Sequence, residues 1–82
     1  MKHFVVINRW ATQDDLGVNI VGIAHDIANA KEIFASVVDN EREIAKDNDW
    51  YIEEDSDMYF EAYEEDGFYS QGHTVLYIEE VI

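Results

Sequence analysis

The chain contains no cysteine. Neither a disulfide framework nor a thiolate metal site can form, and a reducing compartment, the cytoplasm, is the expected setting. Long apolar runs are missing too. Phe4-Val5-Val6-Ile7 is ended by Asn8 and Arg9, which makes it too short for a signal-peptide core or a membrane span. No export or anchoring signal is visible. Positive charge is scarce: 5 Lys and Arg face 19 Asp and Glu, a formal net charge of −14. That field repels nucleic acid and anionic membranes and attracts a basic partner, so direct binding to nucleic acid or membrane is not expected. Only 4 glycines occur, and none falls in the patterns of dinucleotide or phosphate loops. The histidines, His3, His25 and His73, lie far apart along the sequence, which leaves no local metal-ligand spacing.

What is present suffices for one small core. A chain of 82 residues, 48% hydrophobic and 29% charged, has globular composition and room for a single domain spanning 1–82. His3 to Trp10 is rich in β-branched and aromatic residues without helical period, a strand apolar on both faces. Gln13-Asp14-Asp15-Leu16-Gly17 supplies a turn, with Gly17 free to take positive φ. Gly17 to Ala24 reads as a second strand, with Val18 and Ile20 on one face, Val21 and Ile23 on the other, and Gly22 as a bulge. Asp26 then suits an N-cap. From Ile27 an apolar stripe of Ile27, Ala30, Ile33, Phe34, Val37, Ile44 and Ala45 predicts one amphipathic helix to about Asp47, with Ile33, Phe34 and Val37 in the core. Glu41 interrupts that stripe, so the second half of the helix is expected to lean toward solvent. No glycine is available to cap the helix end.

Trp50 to Glu54 reads as a short strand, Asp55-Ser56-Asp57 as a turn, and Met58 to Glu64 as a strand with Met58, Phe60 and Ala62 inward and Tyr59, Glu61 and Tyr63 outward. Glu65-Asp66-Gly67 is a turn signal. Phe68-Tyr69 is extended, Gln71-Gly72-His73 loop-like, and Thr74 to Val81 a final, central strand. The expected fold is α+β, ordered β-β-α-β-β-β: an antiparallel β-sheet with one amphipathic helix packed on one face.

Catalytic and metal chemistry find little support. Asp47-x-Asp49 and Asp55-x-Asp57 resemble the start of a calcium loop, yet Ile52 and Phe60 stand where glycine is needed, and Met58 stands where the first register needs its bidentate glutamate. His25 beside Asp26 reads as a structural pair at the helix start, and no serine or cysteine has a visible base. No catalytic residue, metal ligand or cofactor is assigned. The dominant feature is acidic. Asp39, Glu41, Glu43, Asp47, Asp49, Glu53, Glu54, Asp55, Asp57, Glu61, Glu64, Glu65 and Asp66 lie within residues 39–66, opposed by Arg42 and Lys46 alone. The interleaved Trp50, Tyr51, Ile52, Met58, Tyr59, Phe60 and Tyr63 make this a folded acidic surface and not a disordered tail. Glu53-Asp55-Asp57, Glu61 with Glu65, and Asp39-Glu43-Asp47 have spacings near those of DNA phosphates.

The opening Phe-Val-Val-Ile-Asn-Arg-Trp-Ala, the cluster Glu53-Glu54-Asp55-Ser56-Asp57 and the ending Gly72-His73-Thr74-Val75-Leu76-Tyr77-Ile78-Glu79-Glu80-Val81 resemble those of small acidic proteins, without assigned activity, from phages and mobile elements of Gram-positive bacteria. The resemblance spans the whole chain and carries over no functional residue. It implies a setting in which acidic mini-proteins, anti-CRISPR and other DNA-mimic inhibitors among them, block host DNA-binding proteins. The expectation is a non-enzymatic module that docks on a basic surface of a partner protein, in its sharper form as a DNA-mimic inhibitor. Its binding residues would be Glu53, Glu54, Asp55, Asp57, Tyr59, Glu61, Tyr63, Glu64, Glu65 and Asp66, with the tyrosines as desolvated anchors inside a charged rim. The alternative is an assembly protein, a homodimer for example, that self-associates through an exposed sheet face while its charge serves solubility.

Overall fold

The computed structural model describes residues 2–12, 16–64 and 72–81. Its elements are β1 (His3–Thr12), β2 (Leu16–Ala24), α1 (Ile27–Asp47), β3 (Tyr51–Asp55), β4 (Tyr59–Tyr63) and β5 (Gly72–Val81). The α+β order is the expected one. All neighbouring strands pair antiparallel in the order β2-β1-β5-β4-β3, so β5 is the centre and β2 and β3 are the two edges. The expected turns at 13–15 and 65–67, and the extended Phe68-Tyr69, lie outside the described residues.

The helix starts where Asp26, in extended backbone, accepts a hydrogen bond from the Asn29 amide at 2.8 Å, which satisfies one of the donors a helix start leaves open. It buries Ala30, Phe34, Val38, Glu41 and Ala45 against the sheet, with Ile27, Ile33 and Val37 half-buried at the margin. The sheet's inner face contributes Val6, Leu76, Phe60 and Ala62. Phe34 is 1% exposed, and truncating so buried a ring to alanine costs about 3–5 kcal/mol. The buried line is thus centred one position from the predicted stripe: Val38 is inside, and Ile44 is exposed.

Glu41 corrects the expectation that the helix leans outward. The residue is 6% exposed and points into the sheet, where its carboxylate accepts from Asn8 Nδ2 at 3.0 Å and Thr74 Oγ1 at 3.1 Å. Asn8 and Thr74 are inward-facing polar positions on β1 and β5, so three residues that look misplaced singly satisfy one another.

The helix ends without glycine. Trp50 donates its amide to the Ala45 carbonyl at 2.8 Å and Asp49 its amide to Lys46 at 3.2 Å, with Asp49 at φ 56°. This is a Schellman ending in which aspartate occupies the left-handed position that glycine usually fills. It aims Trp50 onto β5, where the indole lies over Gly72. Trp10 lies in the same way over Gly17. Gly17 is a strand residue, in keeping with the expected strand from Gly17 to Ala24 and not with the turn expected to end on it, and Gly72 is a strand residue where a loop is expected. Each lies under an indole ring with which a Cβ would collide. His73 likewise belongs to β5.

Candidate functional site

The helix covers one sheet face, no element among the described residues covers the other, and strand register assigns the residues of that bare face. Four rows cross it: Leu16-Ala11-His73-Tyr63-Tyr51, Val18-Arg9-Val75-Glu61-Glu54, Ile20-Ile7-Tyr77-Tyr59, and Ile23-Val5-Glu79. Each begins aliphatic at the β2 edge. The three longest end in tyrosine or glutamate on β3 or β4. The register shift opposite Val6 and Ile7 places the bulge at Val21, beside the predicted Gly22. It also reverses the side-chain alternation, so Ile23 joins Val18 and Ile20 on the bare face while Val21 packs on the core.

At the acidic end the side chains hold one another. Glu61 Oε2 lies 2.7 Å from His73 Nε2, and Glu61 Oε1 accepts from the Tyr59 hydroxyl at 3.0 Å. With Glu61 ionised, the imidazole nitrogen is the donor. The hydrogen bond from His73 holds the Glu61 carboxyl below the ordinary carboxylate range, more than offsetting the opposing effect of burial. Burial first, and then the bond to Glu61, push the Tyr59 phenol up, so it stays a neutral donor. The Tyr63 hydroxyl donates to Glu53 at 3.1 Å. Ring centroids stand 5.5 Å apart for Tyr51 and Tyr63 and 6.4 Å for Tyr59 and Tyr77, and the Arg9 guanidinium lies 5.7 Å from the Tyr77 ring, within cation–π range. Between these groups and β2 an open depression of about 830 Å³ runs across the face, lined by Arg9, Leu16, Val18, Tyr59, Glu61 and Tyr77 among others.

The predicted site residues separate into groups. Tyr59, Glu61 and Tyr63 share the bare face as expected, Glu54 stands directly opposite Glu61, and Glu53 reaches Tyr63. The expected Glu53-Asp55-Asp57 row does not form, because the register shift between Ile52 and Glu54 breaks the alternation. Asp55 pairs with Phe60 on the helix side and is gripped by Arg42, whose Nη2 is 2.8 Å away and whose Nη1 holds Asp39 at 2.7 Å. Asp57, in the turn after β3, pairs with Lys31 at 3.1 Å. Glu64 follows β4, its amide bonded to the Gly72 carbonyl. Glu65 and Asp66 lie outside the described residues. Sequence reading missed Tyr51, Tyr77, Arg9 and His73. The alternation of His73, Val75 and Tyr77 was the available signal, hidden by the continuous apolar run of β5.

An imidazole–carboxylate pair is also part of hydrolytic triads. Here the hydroxyl sits on the carboxylate and belongs to a tyrosine, so the geometry is that of a clamp which fixes side chains. Among the described residues no group of three or more His, Asp or Glu is placed to hold a metal ion, and no helix is long and apolar enough to cross a membrane. Comparison with protein-family models, curated proteins and solved structures returns no match to this chain.

Proposed function

We propose that this chain is a non-enzymatic binding module whose tyrosine and carboxylate face docks on a basic surface of another protein. The observation that carries the reading is the set Tyr51, Tyr59, Tyr63 and Tyr77 on the bare face, two of whose hydroxyls are fixed by Glu61 and Glu53. Aromatic anchors already held in place lose little entropy on binding, and a carboxylate rim steers a cationic partner toward them. Glu54 opposite Glu61 is a like-charge cross-strand pair, unfavourable to the isolated sheet, and a cation from a partner would relieve it.

A DNA-mimic inhibitor of a nucleic-acid-binding protein is the sharper form of this reading, in keeping with the resemblance to phage and mobile-element proteins. Its support is narrower than the sequence spacing suggested, since Asp55 and Asp57 are tied to Arg42 and Lys31. The helix row Asp39, Glu43 and Asp47 is exposed and keeps spacings of about 6 Å, with Asp39 paired to Arg42.

The test is capture on the immobilised protein from a Gram-positive bacterial extract at low and high salt, with duplex DNA as competitor. The captured basic protein is then measured against a variant with Glu53, Glu54 and Glu64 changed to glutamine, and against Tyr63→Ala. The first should associate more slowly and the second dissociate faster, with melting temperatures near the parent's. If no basic protein is captured at low salt, or if the glutamine variant binds like the parent, the reading fails.

A further inference from the structure

The opposite end of the bare face has different chemistry. β2, from Leu16 to Ala24, contains no charged residue, although the chain as a whole carries −14. Leu16, Val18, Ile20 and Ile23 are 82%, 63%, 60% and 61% exposed on the bare face. As an edge strand, β2 also turns a row of backbone amides and carbonyls away from β1. Proteins blunt such edges with charge. The other edge, β3, carries Glu53, Glu54 and Asp55, whereas the strand β2 itself has no charged side chain. An uncharged, apolar, regular edge on a highly charged chain is a template for strand pairing.

We propose that β2 pairs antiparallel with β2 of a second copy of this chain, over Leu16 to Ile20 and centred on Val18, joining two five-stranded sheets into one of ten strands. Three observations select a second copy as the occupant. The first is charge: a basic partner finds nothing to neutralise on β2, whereas two chains of −14 can touch without apposing carboxylates there. In the joined sheet the two β3 edges stand nine strand spacings apart, roughly 43 Å at about 4.8 Å each, several Debye lengths at physiological salt.

The second observation is register. The bulge at Val21 limits the regular part of β2 to Leu16–Ile20. A two-fold axis at Val18 sets Leu16 opposite Ile20 of the second copy, Val18 opposite Val18, and Gly17 opposite Asn19. Large aliphatic side chains then meet on the bare face, and small or polar residues on the other, in both halves of an isologous contact. The third is continuity. The aliphatic ends of the rows that begin at Leu16, Val18 and Ile20 abut across the axis, while the tyrosine and glutamate ends stay outermost. The pairing goes beyond the proposed function and uses a separate surface, so either can fail alone.

The absence of cysteine from the parent allows a direct test. Val18→Cys should form a disulfide-linked dimer under mild oxidation, because directly opposed residues of an antiparallel pair hold their Cβ atoms about 4.5–5.5 Å apart, within a short adjustment of disulfide distance. Tyr51→Cys, on the opposite edge, should remain monomeric under the same conditions. In the parent, the solution mass should rise with concentration from 9.5 kDa toward twice that value. Added salt should strengthen the dimer, the opposite of its effect on a complex with a basic protein. Val18→Lys should stay at monomer mass with an unchanged circular dichroism spectrum, since the side chain it replaces is exposed. A parent that is monomeric at every concentration, or Tyr51→Cys cross-linking as readily as Val18→Cys, would overturn the proposal.

Discussion

Glu41 is a carboxylate enclosed between helix and sheet, with neutral donors Asn8 and Thr74 as its partners. Removing it takes this acceptor from the half-buried Asn8 amide and leaves the buried Thr74 hydroxyl with only the longer 3.3 Å contact to Asn8 Oδ1, and a buried polar group that loses its partner costs about 1–3 kcal/mol. Glu41→Ala should therefore lower the unfolding free energy by about 1–3 kcal/mol in a urea titration, more than any exposed Glu→Ala change on the helix. If Glu41→Ala unfolds at the parent's midpoint, the network is not structural. The interruption of the apolar stripe at Glu41 is legible in the sequence, but its inward direction is not. The inward positions of Asn8 and Thr74 emerge only when strand register brings residues 33 and 66 positions apart together.

Glu61 makes a prediction in pH. Its carboxyl is held below its ordinary value of 4.5 by the His73 hydrogen bond, so near that pH the unfolded chain binds the proton more readily than the folded one. The stabilisation from this contact is complete above the unfolded value and is lost as pH falls through the folded one. Replacing Glu61 with glutamine should flatten the acid limb of the stability profile below about pH 5. Parent and variant limbs with the same slope would show that the Glu61–His73 contact contributes nothing to acid sensitivity.

Among the elements, the helix was the most legible, because Asp26 and the three- and four-residue apolar spacing are local signals. Its end was less so. Asp49 takes a left-handed backbone, φ 56°, that costs an L side chain up to about 1–2 kcal/mol, and its charge opposes the negative end of the helix dipole. Asp49→Gly should raise the melting temperature, provided Trp50 keeps its seat over Gly72. A lower melting temperature would mean that the aspartate makes a contact the ending needs. Strands β1, β4 and β5 were visible in composition and alternation. Of the two register shifts, the one in β2 left a local mark in Gly22, one residue from the bulge at Val21, whereas the one between Ile52 and Glu54 left none, since a bulge depends on the partner strand. One bulge moved Ile23 onto the bare face. The other turned Asp55 toward Arg42 and dismantled the acidic row expected there.

Among the described residues of the sheet, Glu53 and Glu54 lie on the β3 edge and the most exposed aliphatic side chains, Leu16, Val18, Ile20 and Ile23, on the β2 edge. With 5 Lys and Arg against 19 acids, the ion pairs at Arg42, Lys31 and Lys2 leave most carboxylates uncompensated, so self-repulsion opposes the compact state. Moderate salt should therefore raise the melting temperature at fixed protein concentration, as screening relieves repulsion by more than it weakens a few exposed pairs. A steady fall with added salt would mean that specific pairs dominate. The candidate face was half legible. Tyr59, Glu61 and Tyr63 follow from alternation, whereas Tyr51, Tyr77 and His73 join them only through pairing of β3, β4 and β5.

The central claim is that the tyrosine and carboxylate face, and not net charge in general, recognises a basic partner. Amide chemical-shift mapping of the labelled protein on addition of the captured basic protein tests it most directly. The account predicts perturbations concentrated at Tyr51, Glu53, Glu54, Tyr59, Glu61, Tyr63, His73 and Tyr77, with the equally acidic helix row Asp39, Glu43 and Asp47 little changed. Perturbations spread evenly over both acidic surfaces, or confined to the helix row, would contradict it.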